Sequence, residues 1–271
     1  MTSAHTEIMS VQNARVKEWA QLLERKGRDK QGKYIIEGYH LVEEALRAGA
    51  PVETIMYSLE KGVPAGLAEQ VTPSVEWIGV SQAVLEKCSD TQTPQGVLAV
   101  VARPQLGMDE LLAGEHDLVV VLDGVQDPGN LGTIIRSADA VGAKAVVLGR
   151  GTVDLYNPKT IRSTMGSMYH LPIVEADLLE LLPRARERGV RLVTTSLQAQ
   201  SSCYDTNLRQ PTWLILGNEA KGVSPEVAAQ SDVQVIIPMQ GKAESLNVAM
   251  AATVLLFEAS RQRLVPSKIN S

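Results

Sequence analysis

The period of the apolar positions changes repeatedly along the first hundred residues. Residues 13–33 form a polar, helix-like segment that ends in the charged turn Arg25-Lys26-Gly27-Arg28-Asp29-Lys30-Gln31-Gly32-Lys33. The short run Tyr34-Ile35-Ile36 predicts a strand, and residues 39–48, closed by Gly49, predict a helix. Strands are expected at 54–57, 76–79 and 95–101, with helices at 64–71 and 81–87. Such alternation implies a sheet with helices on its faces. A turn-rich, weakly apolar stretch follows, which places a linker at 103–117 between a first domain, 1–102, and a second, 118–271.

The second domain is more regular. Strands are expected at 118–122, 145–148, 191–195, 213–216 and 233–237, and helices at 130–141, 158–166, 176–188, 225–229 and 246–261. Continuous apolar strands alternating with helices predict an α/β fold built on an open, mostly parallel sheet. Ligands of such sheets bind beyond the carboxyl ends of the strands.

Composition narrows the class. The 271 residues are 44% hydrophobic and 21% charged, a globular balance, and with only 4% aromatics the core must be packed by aliphatic side chains. A net charge of −5 argues against a protein coated in nucleic acid, while leaving room for local basic faces. The two cysteines, Cys88 and Cys203, lie far apart with no neighbouring ligand residues, so neither a disulfide scaffold nor a structural zinc site is expected. No secretory leader and no membrane-length apolar run are visible, which makes the cytoplasm the expected compartment.

Three loops each follow an apolar strand and set glycine beside polar groups. Residues 123–142 carry Pro128 and Gly129 in a turn, Asn130 as a candidate helix cap, Gly132, and Arg136 inside the following helix. Residues 216–224 set Gly217, Asn218 and Gly222 around Glu219 and Lys221. Residues 237–259 end a strand at Ile237-Pro238, turn at Gly241, and open a helix near Ser245-Leu246-Asn247 that is too apolar for one wet face. The nucleotide P-loop and the dinucleotide fingerprint are both missing. None of the four histidines is tied by a local motif to Ser245, so a hydrolase triad is not supported, and no histidine pair has metal-site spacing, so no metal is expected. Basic residues gather at Arg15, Arg25, Arg28 and Lys33 and again at Lys159 and Arg162. Each cluster reads either as an ordinary charged face or as phosphate contacts on RNA.

Taken in order, three pieces resemble the SpoU/TrmH family of RNA ribose 2′-O-methyltransferases in the SPOUT superfamily. They are Asn130-Leu131-Gly132 with Arg136, Leu216-Gly217-Asn218-Glu219 with Gly222, and Ile237-Pro238-Met239 with Gly241 and Glu244-Ser245-Leu246-Asn247-Val248-Ala249. Residues 8–100 resemble more loosely the substrate-binding domain often joined to it, whose fold is like that of a ribosomal protein. The resemblance implies a deep C-terminal trefoil knot, an exception to the rule that chains do not thread their own loops. It also implies a homodimer that shares catalytic residues across its interface. S-adenosylmethionine would lie bent near Thr195, Leu216, Gly217, Asn218, Ile237, Met239 and Leu246. Catalysis would fall to Arg136, with Asn130, Glu219, Ser245 and Asn247 in supporting positions. The implied substrate is RNA, with 23S-type ribosomal RNA preferred over transfer RNA. Methylation of an RNA base, or an inactive knot serving RNA binding or ribosome assembly, remain the alternatives. A role in antibiotic resistance would use the same chemistry.

Overall fold

The computed structural model describes residues 6–70, 75–113 and 117–264. In chain order the strands are β1 (Thr6–Ile8), β2 (Lys33–Glu37), β3 (Val52–Ser58), β4 (Glu76–Val80), β5 (Val97–Ala102), β6 (Leu118–Asp123), β7 (Ala145–Leu148), β8 (Ile173–Glu175), β9 (Arg191–Thr195), β10 (Ser201–Ser202), β11 (Thr212–Gly217) and β12 (Val233–Ile236). The helices are α1 (Ala14–Gln21), α2 (Arg25–Gln31), α3 (Tyr39–Arg47), α4 (Ala65–Ala68), α5 (Gln82–Cys88), α6 (Met108–Ala113), α7 (Pro128–Ala140), α8 (Pro158–Thr164), α9 (Leu178–Glu187), α10 (Pro225–Ala228) and α11 (Val248–Leu264).

The chain divides into two compact units, Met1–Gln105 with Asp154–His170, and Leu106–Val153 with Leu171–Ser271. The first unit is a five-stranded mixed sheet in the order β1-β4-β3-β5-β2, with β5 antiparallel to both of its neighbours. Ile35, Met56, Ile78 and Leu98 from the strands bury against Val16 and Trp19 of α1, Leu22 just after it, and Leu85 of α5. The single helix expected over 13–33 is two, α1 and α2. Gly27 lets them meet closely, since a Cβ there would lie 1.9 Å from the carbonyl oxygen of Gln21.

Residues 154–170, placed by the sequence in the second domain, pack within the first unit. Arg28 is 2% exposed; its Nη2 and Nε both donate to Asp154 Oδ2, at 2.6 and 3.2 Å, while its Nη1 donates to the carbonyls of Leu22 and Leu23. A buried guanidinium needs that full set of acceptors.

The second unit is a seven-stranded sheet in the order β10-β12-β9-β11-β6-β7-β8, with every pair parallel. Its core sets Val119, Val121, Trp213 and Ile215 of the central strands against Leu178, Leu181 and Leu182 of α9. Strand β12 lies between β9 and β10, which are consecutive along the chain. Helix α11 packs on α7, where the Ser137 and Thr253 hydroxyls meet at 2.8 Å. Its far end is tied to the segment before β11: Gln262 donates to the carbonyl of Thr206 and accepts from the N–H of Leu208, and Arg263 donates to the carbonyl of Leu208.

Several expectations shift. Helix α6 occupies part of the expected linker, and β1, β8 and β10 had no sequence signal strong enough to register. The cap of α7 is Asp127, whose carboxylate accepts from the N–H of Asn130, because Pro128 takes the first helical position. The final helix starts at Val248, after Asn247, whose Oδ1 accepts from the N–H of Ala249. Of the helix expected over 64–71, Ala65–Ala68 is helical and Val71 lies outside the described residues.

Candidate active site

Because β6, β11, β9 and β12 are neighbours and parallel, the loops after them leave one edge of the sheet. The loop after β11 is tightly folded. A Cβ on Gly217 would lie 1.9 Å from the Gly222 carbonyl carbon, and Gly222 has φ 71°, so both positions favour glycine. Asn218 and Gly222 exchange main-chain hydrogen bonds of 2.9 Å each, which leaves Glu219, Ala220 and Lys221 at the tip. The Asn218 side chain donates to the Gly124 carbonyl at 2.9 Å, joining this loop to the one after β6.

Glu219 completes the join. Its carboxylate accepts from the N–H groups of Gln126 (3.1 Å) and Asp127 (3.0 Å) and from Asn130 Nδ2 (3.0 Å). Asn130 Oδ1 in turn accepts from Asn247 Nδ2 at 3.0 Å. A chain Asn247–Asn130–Glu219 therefore ties together the starts of α7 and α11 and the tip of the loop after β11. Burial alone would raise the Glu219 pKa, but the hydrogen bonds from Asn130, Asp127 and Gln126 outweigh it and hold the carboxyl below its ordinary range.

Beside this chain lies a cavity of 440 Å³, within the range of small-ligand sites. All seven residues expected at the cofactor, Thr195, Leu216, Gly217, Asn218, Ile237, Met239 and Leu246, line it, as do Glu219 and Ser245. The wall combines apolar side chains with main-chain groups at open strand ends. Thr194, also in the wall, keeps a buried Oγ1 with no hydrogen-bond partner among the described residues. A ligand with a flat aromatic ring and several hydrogen-bonding groups fits that wall, and S-adenosylmethionine is such a molecule.

Arg136 is placed differently. It lies on the exposed face of α7, outside the cavity wall, and makes no hydrogen bond or ion pair with any described residue. The expected RNA contacts in the first unit are largely neutralised. Arg15 pairs with Glu76 at 2.5 Å and lies over the Trp19 ring, Lys33 pairs with Glu53, Arg25 with Asp29 and Arg162 with Asp90. Arg28 is a buried structural cation and offers nothing to a phosphate. Lys159 is exposed at the start of α8. A grouping of His40, Glu43 and Glu44 has metal-ligand atoms close together, although Arg47 already pairs with both carboxylates.

The cavity wall also includes Thr194 and the charge of Lys221, neither of which belongs to an expected set of site residues. Thr194 directly precedes Thr195 and Lys221 lies two residues after Glu219, which is the signal the sequence offers.

Residues 117–257 match the model of the SpoU rRNA Methylase family, and residues 13–99 match that of the MRM3-like substrate binding domain. The chain is 39% identical over 251 residues to the 23S rRNA (guanosine(2553)-2′-O)-methyltransferase RlmP of Bacillus subtilis, covering 93% of this chain and 98% of that one. Among solved structures it is similar to the SpoU methyltransferase AviRb of Streptomyces viridochromogenes in complex with AdoMet, with a TM-score of 0.85 and 34% identity over 93% of this chain and 99% of that one. The AdoMet-bound rRNA methyltransferase of Sinorhizobium meliloti gives a TM-score of 0.87 and 32% identity, covering 97% of this chain and 100% of that one.

Proposed function

The chain belongs to the SpoU rRNA methylase family, and on that premise we propose that it transfers a methyl group from S-adenosylmethionine to a ribose 2′-hydroxyl of ribosomal RNA. The observation that carries this reading is the Asn247–Asn130–Glu219 hydrogen-bond chain beside the 440 Å³ cavity, which unites all three loops.

When bound, S-adenosylmethionine supplies a methyl group on a sulfonium, already an activated leaving group. The protein must orient a weak nucleophile in line with it, and the hydroxyl proton leaves to water as the carbon–oxygen bond forms and the carbon–sulfur bond breaks. Thr195, Leu216, Gly217, Asn218, Ile237, Met239 and Leu246 form the binding wall. Glu219 fixes Asn130, and Asn130 fixes Asn247. Ser245, in the same wall, positions the ribose. Arg136 binds the phosphate next to the target nucleotide, since a guanidinium is a strong donor and a poor proton acceptor.

Arg136 acts from the partner subunit of a homodimer. Its exposure outside the cavity supports this, as does an apolar stripe on α11, where Met250 is 53% and Phe257 52% exposed. Uncovered apolar surface at helical spacing favours a second copy. The C-terminal chain is threaded as a trefoil knot. The reading is supported by β12 lying between the consecutive strands β9 and β10 and by the bonds from Gln262 and Arg263 to the 206–208 segment. Residues 1–102 bind the RNA substrate on a ribosomal-protein-like fold, and the protein works in the cytoplasm. No helix of the described residues is long and apolar enough to cross a membrane.

The test is transfer of label from methyl-labelled S-adenosylmethionine into unmodified ribosomal and transfer RNA, with Arg136→Ala as control. Label in ribosomal RNA from the wild type only is expected. Label confined to transfer RNA, or released in a base-methylated nucleoside, overturns the proposal.

A further inference from the structure

Among the described residues the cavity wall carries three charged side chains, Glu219, Lys221 and Glu244. Glu219 is committed to Gln126, Asp127 and Asn130. One cation and one anion therefore remain for whatever enters the cavity.

The main chain fixes where Lys221 stands. Its N–H donates to Asn218 Oδ1 at 3.1 Å, and the next residue, Gly222, is locked to Asn218 by the paired 2.9 Å bonds. The close approach of Gly217 to Gly222 leaves that loop little room to change. Lys221 is thus held at the rim by its backbone, while its ammonium is bonded to no described residue and its flexible stem is free to turn inward. A lysine anchored by its backbone and free at its tip is suited to a mobile anion.

Resting on the proposed function, we infer that Lys221 holds the α-carboxylate of S-adenosylmethionine in an ammonium–carboxylate pair, with Glu244 facing the α-ammonium. The amino-acid end of the cofactor is a zwitterion, and its two charges match the two uncommitted charges of the wall. Without a counter-charge, the carboxylate would lose solvation on entering the cavity and regain little. Lys221 therefore discriminates S-adenosylmethionine from adenosyl compounds that lack the carboxylate.

The experiment is isothermal titration of the full chain, as wild type, Lys221→Met and Lys221→Arg, with S-adenosylmethionine, decarboxylated S-adenosylmethionine and 5′-methylthioadenosine. Wild type should prefer S-adenosylmethionine over its decarboxylated form by about tenfold, the weight of one charge-assisted contact. Lys221→Met should lose that preference by weakening S-adenosylmethionine alone, and Lys221→Arg should keep most of it. Equal affinities for the two ligands in wild type overturn the assignment, as does an unchanged preference in Lys221→Met. A raised KM for ribosomal RNA in Lys221→Met with unaltered cofactor affinity also overturns it, because the lysine then serves an RNA phosphate. If wild type binds none of the three compounds, the cofactor reading itself fails and takes this assignment with it.

Discussion

The side chains of Asn130 and Asn247, 117 residues apart in sequence, are joined by a 3.0 Å hydrogen bond in which Asn247 Nδ2 donates to Asn130 Oδ1. Asn130 spends its own amide on Glu219. Each amide in the chain thus uses donor and acceptor in opposite directions, and neither can be replaced by a carboxylate without breaking a bond.

Replacing Asn130 by Asp removes the donor and sets a second carboxylate against Glu219 Oε1. Single-turnover methylation by Asn130→Asp should fall by about a hundredfold, the scale of an ångström-level misplacement at a reacting centre. Circular dichroism should be unchanged, since Asp127 and not Asn130 caps α7.

The lowered pKa of Glu219 sets a direction for pH. A carboxylate with a depressed folded-state pKa stabilises its loop above the unfolded value, near 4.3, and that contribution disappears as pH falls through the folded value. Cofactor affinity should therefore show no loss from this group across neutral pH and should drop only below the ordinary carboxylate range. Affinity measured against pH should lose that acid limb in Glu219→Gln, which cannot titrate.

Arg28 and Asp154 form a buried pair within the first unit. Arg28→Met leaves Asp154 without its cation and should lower the stability of that unit by about 3 kcal/mol, as breaking a buried pair does. Urea denaturation followed at Trp19 or Trp77 fluorescence would register it. An unchanged midpoint would remove the structural role given to Arg28.

The proposed action of Arg136 from a second subunit has a direct test. Arg136→Ala and Asn247→Ala should each be inactive, yet a mixture refolded together should regain activity, because one site of each mixed dimer pairs an intact Asn247 with the partner subunit's Arg136. If both residues served the same chain's site, no mixture would recover. Phe257→Asp, on the exposed stripe of α11, should shift the protein to a monomer in light scattering.

Much of this was legible in the sequence, for physical reasons. Buried parallel strands such as Leu118–Asp123 and Thr212–Gly217 are continuous apolar runs, and their glycine-bearing ends mark where ligands approach. The boundaries of α3, α5 and α10 followed from periodicity and from glycine or proline punctuation. Charge was the least legible property. Arg15, Arg28 and Lys33 belong to one basic cluster of the sequence and Arg162 to another, but their partners Glu76, Asp154, Glu53 and Asp90 lie far along the chain, and only the fold brings them together. For the same reason a local reading could not see that 154–170 belongs with the first unit. The Asn247–Asn130–Glu219 chain likewise joins three loops that no local pattern connects.

Ribose methylation is read directly from an alkaline-cleavage map of ribosomal RNA incubated with the protein and S-adenosylmethionine, at single-nucleotide resolution. A ribose 2′-O-methyl group blocks cleavage at its own nucleotide, whereas a methylated base does not. One new cleavage-resistant nucleotide is expected, present with wild type and absent with Asn247→Ala. Methyl incorporation without any protected position would contradict ribose methylation.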